Sequence, residues 1–156
     1  MNRETLWRLR RVFPLVLLCA VLNDCGGKAT STTVSAPPSA IASLRYNASG
    51  APDASFGGGR GLVVTDFEAS LNDYALAVAL QLDGKIVVAG SSGSTTAPNT
   101  AQGLLAVLRY KPDGSLDSTF GIGGSARTAI GSNSAEAVAV ALQTNGKIVV
   151  AGTILA

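Results

Sequence analysis

Histidine is absent from all 156 residues. That excludes Ser-His-Asp and Cys-His catalysis and every histidine-ligated metal site. Cysteine is nearly absent too: Cys19 and Cys25 both lie near the N-terminus. The chain after Cys25 therefore has no disulfide to close it. Charged residues make up only 14% of the chain and the net charge is +2, with four arginines before residue 12. No basic footprint for nucleic acid results. Aromatics are few, at 5%, and no apolar run reaches the roughly 20 residues that span a bilayer. What is abundant is glycine, at 18 residues, within a composition that is 47% hydrophobic. Many tight turns between small apolar strands point to an all-β chain and away from a disordered one.

The N-terminus reads as an export signal. Arg3, Arg8, Arg10 and Arg11 precede the apolar run Val12 to Leu22. "RRVFP" at Arg10 to Pro14 resembles a twin-arginine core, with Leu9 where Ser or Thr is usual. "VLNDCGGKATSTTVSAPPSA" resembles the end of a bacterial lipoprotein signal, with Leu22 three residues before Cys25 and glycines after it. Cys25 is the lipidation candidate. Asp24 stands where a lipobox has a small residue, so a plain secretory signal with an incidental cysteine stays open as the alternative. The expected organisation is a signal over 1–25, a flexible Ser/Thr/Pro tether over 26–40 and a repeat region over 41–156.

Two blocks recur within that region. "LRYNASGAPDASFG" (Leu44 to Gly57) matches "LRYKPDGSLDSTFG" (Leu108 to Gly121) at an offset of 64. Ala77 to Gly90 matches Ala139 to Gly152 at an offset of 62, with 12 of 14 positions identical. A period of about 60 means stacked supersecondary units, repeat 1 over about 44–107 and repeat 2 over about 108–156. The two-residue slip is expected in the loop before Ala75.

Asp83-Gly84 and Asn145-Gly146 sit between apolar runs and predict hairpins with two-residue type I′ turns. That turn pairs Leu80 with Val87 and Ala79 with Val88. Val78, Leu80 and Val87 then share one face, and Ala79, Ile86 and Val88 the other. Both faces are apolar, so both need cover, as in a propeller blade or a β-solenoid layer. Leu62 to Phe67 and Gly103 to Tyr110 bracket the first hairpin and are expected to complete four strands. The second unit is read as Ser125 to Ile130, Ala137 to Thr144 and Lys147 to Leu155, with no counterpart of "LLAVLRY" after it. "IASLRY" at Ile41 to Tyr46 is such a counterpart, standing before the first unit.

"ALQ-DGKIVVAG" followed by "LRY-PDGSLDSTFG" resembles the delta-60 repeat of bacterial envelope and secreted proteins, over about residues 42 to 156. The resemblance implies antiparallel four-stranded blades of β-propeller type and carries no established catalytic residue. Members hold many repeats, whereas this chain has fewer than two, so the expected fold is an incomplete propeller. Closure takes about four to eight blades. Three resolutions stand open: a truncated fragment of a longer protein, copies that complete each other's blades through Ile41 to Tyr46, or a two-blade stack.

The candidate site residues have bland readings beside sharper ones. Asp113 and Asp117 offer hard oxygens for calcium, but Ser49 replaces Asp113 in the first copy and no bidentate glutamate follows. A turn bond from Asp53 and Asp117, with Arg45–Asp53 and Arg109–Asp117 pairs fixing the blade connection, is the preferred reading. Acidic-ligand binding by the arginines is the alternative. "FGGGRG" at Phe56 to Gly61 lacks the Gly-Lys-Ser/Thr of a phosphate loop and is read as a connection. Tyr46, Tyr110, Phe56 and Phe120 are expected as core anchors, and Lys85 and Lys147 in solvent. The Ser/Thr-rich loop Ser91 to Thr100 offers no base and so no nucleophile. The expectation is a non-enzymatic exported module with a structural or binding role at the cell envelope, no cofactor, and self-association through open blade edges. Membrane contact comes only through the lipid. A propeller-type lyase or sialidase is the competing class.

Overall fold

A computed structural model describes residues 40–67, 72–94, 102–131 and 133–155. The signal, Cys25, nearly all of the tether and part of the Ser91 to Thr100 loop lie outside the described residues. The described chain is all-β, with eight antiparallel strands and no helix: β1 (Ile41–Leu44), β2 (Leu62–Thr65), β3 (Tyr74–Leu80), β4 (Ile86–Ser94), β5 (Gln102–Tyr110), β6 (Ser125–Thr128), β7 (Ser134–Leu142) and β8 (Ile148–Leu155). They form a two-stranded sheet β1-β2, a four-stranded meander β3-β4-β5-β6 and a two-stranded sheet β7-β8. The meander is one full blade. β1-β2 repeats its second half, and β7-β8 repeats its first half.

The half-blades cover opposite faces of the full blade. Ile41 of β1 packs with Val88, Leu108 and Tyr110, joined by Val63 and Ile86. Ala137 of β7 packs on the other face with Val87, Ala89 and Val107, joined by Val140, Leu142 and Ile148. A sheet apolar on both faces is stable only between two such layers.

The strand grouping differs from the sequence reading. Leu62 to Thr65 pairs back onto β1, Leu44 opposite Leu62, and does not join the following hairpin. The blade therefore runs from β3 to β6, and the connections between blades are 66–73 and 129–133. The long connection 45–61 is held closed by its own bonds: Arg45 N–H to Gly61 C=O, 2.9 Å, and Asp53 N–H to Arg45 C=O, 2.9 Å. The two-residue slip is also split. β2 and β6 are 63 apart (125 minus 62), so one residue is lost between "FGGGRG" and "FGIGG", and the other before Ala77.

The hairpin turns are not type I′. Leu80 pairs with Ile86 and Ala79 with Val87, one residue away from the expected register. Gln81 N–H bonds Lys85 C=O at 2.8 Å, and Gly84 N–H bonds Gln81 C=O at 2.9 Å, with Gly84 at φ 81°. This is a three-residue loop, a type I turn closed by a left-handed glycine in a bulge. It is less costly than type I′ because only the glycine needs positive φ. The preceding side chain then bonds the chain beyond it: Lys85 N–H to Asp83 Oδ1 and Lys147 N–H to Asn145 Oδ1, both 3.2 Å. The same pattern closes Asn47–Ala51, Lys111–Ser115 and Gln143–Lys147. One extra loop residue inverts the partition: Val78 and Leu80 share the face of Ile86 and Val88, and Ala79 shares that of Val87.

A Gly146→Val variant tests this turn without a steric complication, because a Cβ there meets nothing within 4 Å. We expect a loss of about 1–3 kcal/mol from the positive φ alone, measured by urea unfolding. An unchanged midpoint would refute the left-handed glycine.

Candidate functional site

The recurring polar residues converge on two copies of one cluster at the end of each β5-type strand. In the second copy, Arg109 Nε donates to Asp117 Oδ2 at 2.9 Å, and Arg109 Nη2 donates to Thr119 Oγ1 at 3.1 Å. Asp117 Oδ1 accepts from Thr119 Oγ1 at 2.7 Å and from its N–H at 3.2 Å. The guanidinium lies over the Phe120 ring, 4.7 Å from its centre. In the first copy, Arg45 Nε donates to Asp53 Oδ2 at 2.8 Å, Ser55 replaces Thr119, and the cation lies 4.8 Å from the Phe56 ring centre. Each cluster ties the end of its strand to the turn that begins the next connection. Asp117 is 2% exposed and Phe56 1% exposed, so each cluster has one member sealed in the interior.

Hydrogen bonds set the charge state. The Thr119 hydroxyl and, more weakly, the Arg109 cation hold the Asp117 carboxyl below its ordinary 3.8. The Ser55 hydroxyl does the same for Asp53. Asp83 is lowered first by the Lys85 ammonium, with which it pairs, and Asp113 by the Ser115 N–H. Burial pushes Asp73 the other way, Phe67 N–H opposes it, and Asp66 adds to the rise.

A lowered folded-state pKa stabilises the fold when the carboxyl is ionised. That contribution is complete above about pH 4 and is lost as the pH falls through the lower folded-state values. Asp73 acts oppositely, favouring the fold at low pH. The four lowered carboxyls outnumber it, so the melting temperature is expected to drop below about pH 4. Asp117→Asn should lower it at pH 7 more than Asp53→Asn does, because the Asp117 side chain is 3% exposed and that of Asp53 27%. Equal effects in thermal unfolding would contradict this ranking.

The calcium candidates are engaged by their own turns. Asp113 Oδ1 accepts from the N–H and hydroxyl of Ser115, at 2.8 and 2.7 Å, and Asp117 is engaged as above. Among the described residues no three acidic or sulfur ligands cluster as a metal site. Asp83 and Lys85 pair within their own turn, and Lys147 is exposed.

The aromatic anchors divide unequally. Tyr110 is fully buried, and its hydroxyl bonds Thr65 Oγ1 of the preceding half-blade at 2.7 Å. Its counterpart Tyr46 is 45% exposed, and Phe120 is half-buried where Phe56 is sealed. The sequence reading missed a second feature. Leu76, Val78 and Leu80 of β3 lie exposed, and Leu76 and Val78 flank an apolar groove with Ala42, Leu44 and Val88. The period-2 alternation of β3 was the available signal, hidden by the one-residue error in register.

Comparison with known proteins adds one finding. Residues 81–120 match the sequence model of a family described as a β-propeller domain of unknown function (DUF5122). No curated protein and no solved structure matches the chain. The matched segment contains the Gln81 turn, β4, β5 and the whole Arg109–Asp117–Phe120 cluster. The chain is thus an all-β repeat protein with antiparallel four-stranded blades of β-propeller type, its described residues forming one full blade between two halves.

Proposed function

We propose that this chain is a non-enzymatic, exported module of the delta-60 repeat type, with a structural or binding role at the bacterial cell envelope, held there by a lipid on Cys25. One observation carries the non-enzymatic reading. The arginines and aspartates that recur in the repeat, Arg45, Asp53, Arg109 and Asp117, bond one another and their own turns. The repeat therefore preserves the fastening of a scaffold. Arg3 to Arg11, the apolar run that follows and Leu22 before Cys25 support export and anchoring.

The anchoring arm is tested by expressing the full chain in a bacterial host fed an alkyne-tagged palmitate. Label on the chain that disappears in Cys25→Ala, together with loss from the membrane fraction, is the expected result. A chain that is exported but unlabelled, with Cys25→Ala behaving identically, would replace the anchor by a secretory signal.

A further inference from the structure

The two half-blades are complementary. β7-β8 repeats the β3-β4 half of the full blade, and β1-β2 repeats its β5-β6 half. We propose that β8 of one copy of this chain pairs with β1 of a second copy, completing a four-stranded blade between them, and that such contacts close copies into a ring.

The chain holds its own template for that contact. Within the full blade β4 pairs with β5: Ile86 with Tyr110, Val88 with Leu108, Gly90 with Ala106. "KIVVAG" recurs unchanged at 147–152 and "LRY" at 44–46. Carrying the register over sets Ile148 against Tyr46 of the second copy, Val150 against Leu44 and Gly152 against Ala42. The hydrogen-bonding groups face the correct way. Arg45 N–H bonds Gly61 C=O, so by antiparallel alternation the Leu44 and Ala42 N–H groups point away from β2. Arg109 N–H bonds Gly124 C=O, which turns Leu108 and Ala106 toward β4 in the same way.

Burial at matched positions gives an independent argument. Val87 is 0% exposed and its counterpart Val149 48%; Leu108 is 1% exposed and Leu44 42%. On β7, Val140 and Leu142 are packed against the full blade, whereas the same positions on β3, Val78 and Leu80, are 65% and 71% exposed. The groove between β1 and β3 is where β7-β8 of another copy would lie. Two further contacts are then repeated. Gly114 sits against Phe56, while its counterpart Gly50 has the same left-handed φ and open space around it. Across the new contact Gly50 would seat on the half-covered Phe120. The Tyr110–Thr65 hydrogen bond becomes Tyr46 to Thr128, and both of these residues are exposed in the single chain.

The eight strands of the described residues amount to two blades. Rings of two to four copies of residues 40–155 would thus supply the roughly four to eight blades of a closed propeller. The contact is heterologous, and closure is what prevents open-ended growth.

The test is the mass of the full chain in mild detergent, by light scattering across a dilution series. The expected result is one discrete species of two, three or four times the monomer mass. Ala42→Pro removes an outward N–H from an exposed edge position and leaves β1-β2 pairing intact, so it should give a folded monomer. Thr128→Val leaves the single chain unaltered and should dissociate the ring roughly fivefold more readily, the worth of one hydrogen bond. A wild-type monomer at every concentration, a polydisperse aggregate, or an oligomer that neither substitution weakens would each overturn the proposal.

Discussion

A Gly90→Val variant is expected to lose the full blade, with a cost of about 3 kcal/mol or more. Gly90 is buried in β4 opposite the irregularity between Ala75 and Ala77 of β3. A Cβ built there would lie 1.8 Å from the Tyr74 carbonyl oxygen and 2.8 Å from its carbon. Both obstructing atoms are backbone in the neighbouring strand, so no rotamer change can make room. β3 would have to leave β4, and β4 is also the partner of β5. Against a typical stability of about 5–15 kcal/mol, the loss is enough to populate unfolded chain. Gly152 in β8 repeats the geometry, 1.9 Å from the Glu136 oxygen. In the monomer β8 pairs only with β7 among the described residues, so at a dilution where the chain is monomeric Gly152→Val should open the β7-β8 hairpin while amides of β4 and β5 stay protected. Hydrogen exchange on the two variants separates these outcomes. An unchanged unfolding midpoint in Gly90→Val would mean that β3 and β4 do not approach so closely.

Phe56→Ala is expected to cost about 3–5 kcal/mol. The ring is 1% exposed. It carries the Arg45 guanidinium on one side and touches Gly114, where a Cβ would come within 2.8 Å of Cε2. It therefore joins the first half-blade to the turn of the full blade. That joint is reinforced by Gly57 N–H to Asp113 C=O at 2.8 Å and by Arg45 Nη1 donating to Pro112 C=O. Removing the ring leaves a cavity between two backbones that are tied together and cannot collapse onto it. Phe120→Ala should cost less in a single chain, because no described turn seals Phe120 from the far side. Urea unfolding of both variants, at a dilution where the chain is monomeric, measures the difference. Equal costs would show that the seal by Gly114 contributes nothing.

Much of this architecture is legible in the sequence for local reasons. Asp83-Gly84 and Asn145-Gly146 announce hairpins because glycine alone accepts the left-handed conformation without strain. The joint recurrence of Arg45 with Asp53 and of Arg109 with Asp117 announces a contact, since both pairs are eight residues apart across a turn. The register was lost by one residue because two- and three-residue loops share the same Asp-Gly and Asn-Gly letters. What differs is a backbone bond, Gln81 N–H to Lys85 C=O, that composition does not display. The blade boundary was misplaced for a related reason. β2 lies closer in sequence to β3 than to β1, so proximity favours the wrong pair. The bonds that fold 45–61 onto itself bring β2 back to β1.

The sequence by itself determined the repeat, the strands and the positions of the hairpin turns, because each depends on residues a few positions apart. Only the tertiary structure decided which of two identical residues is core. Leu44 and Leu108 stand in the same motif, yet one is half exposed and the other sealed. The same holds for Val149 and Val87. In a stack, burial is conferred by the next layer, and a residue's own neighbours in sequence carry no information about whether that layer is there.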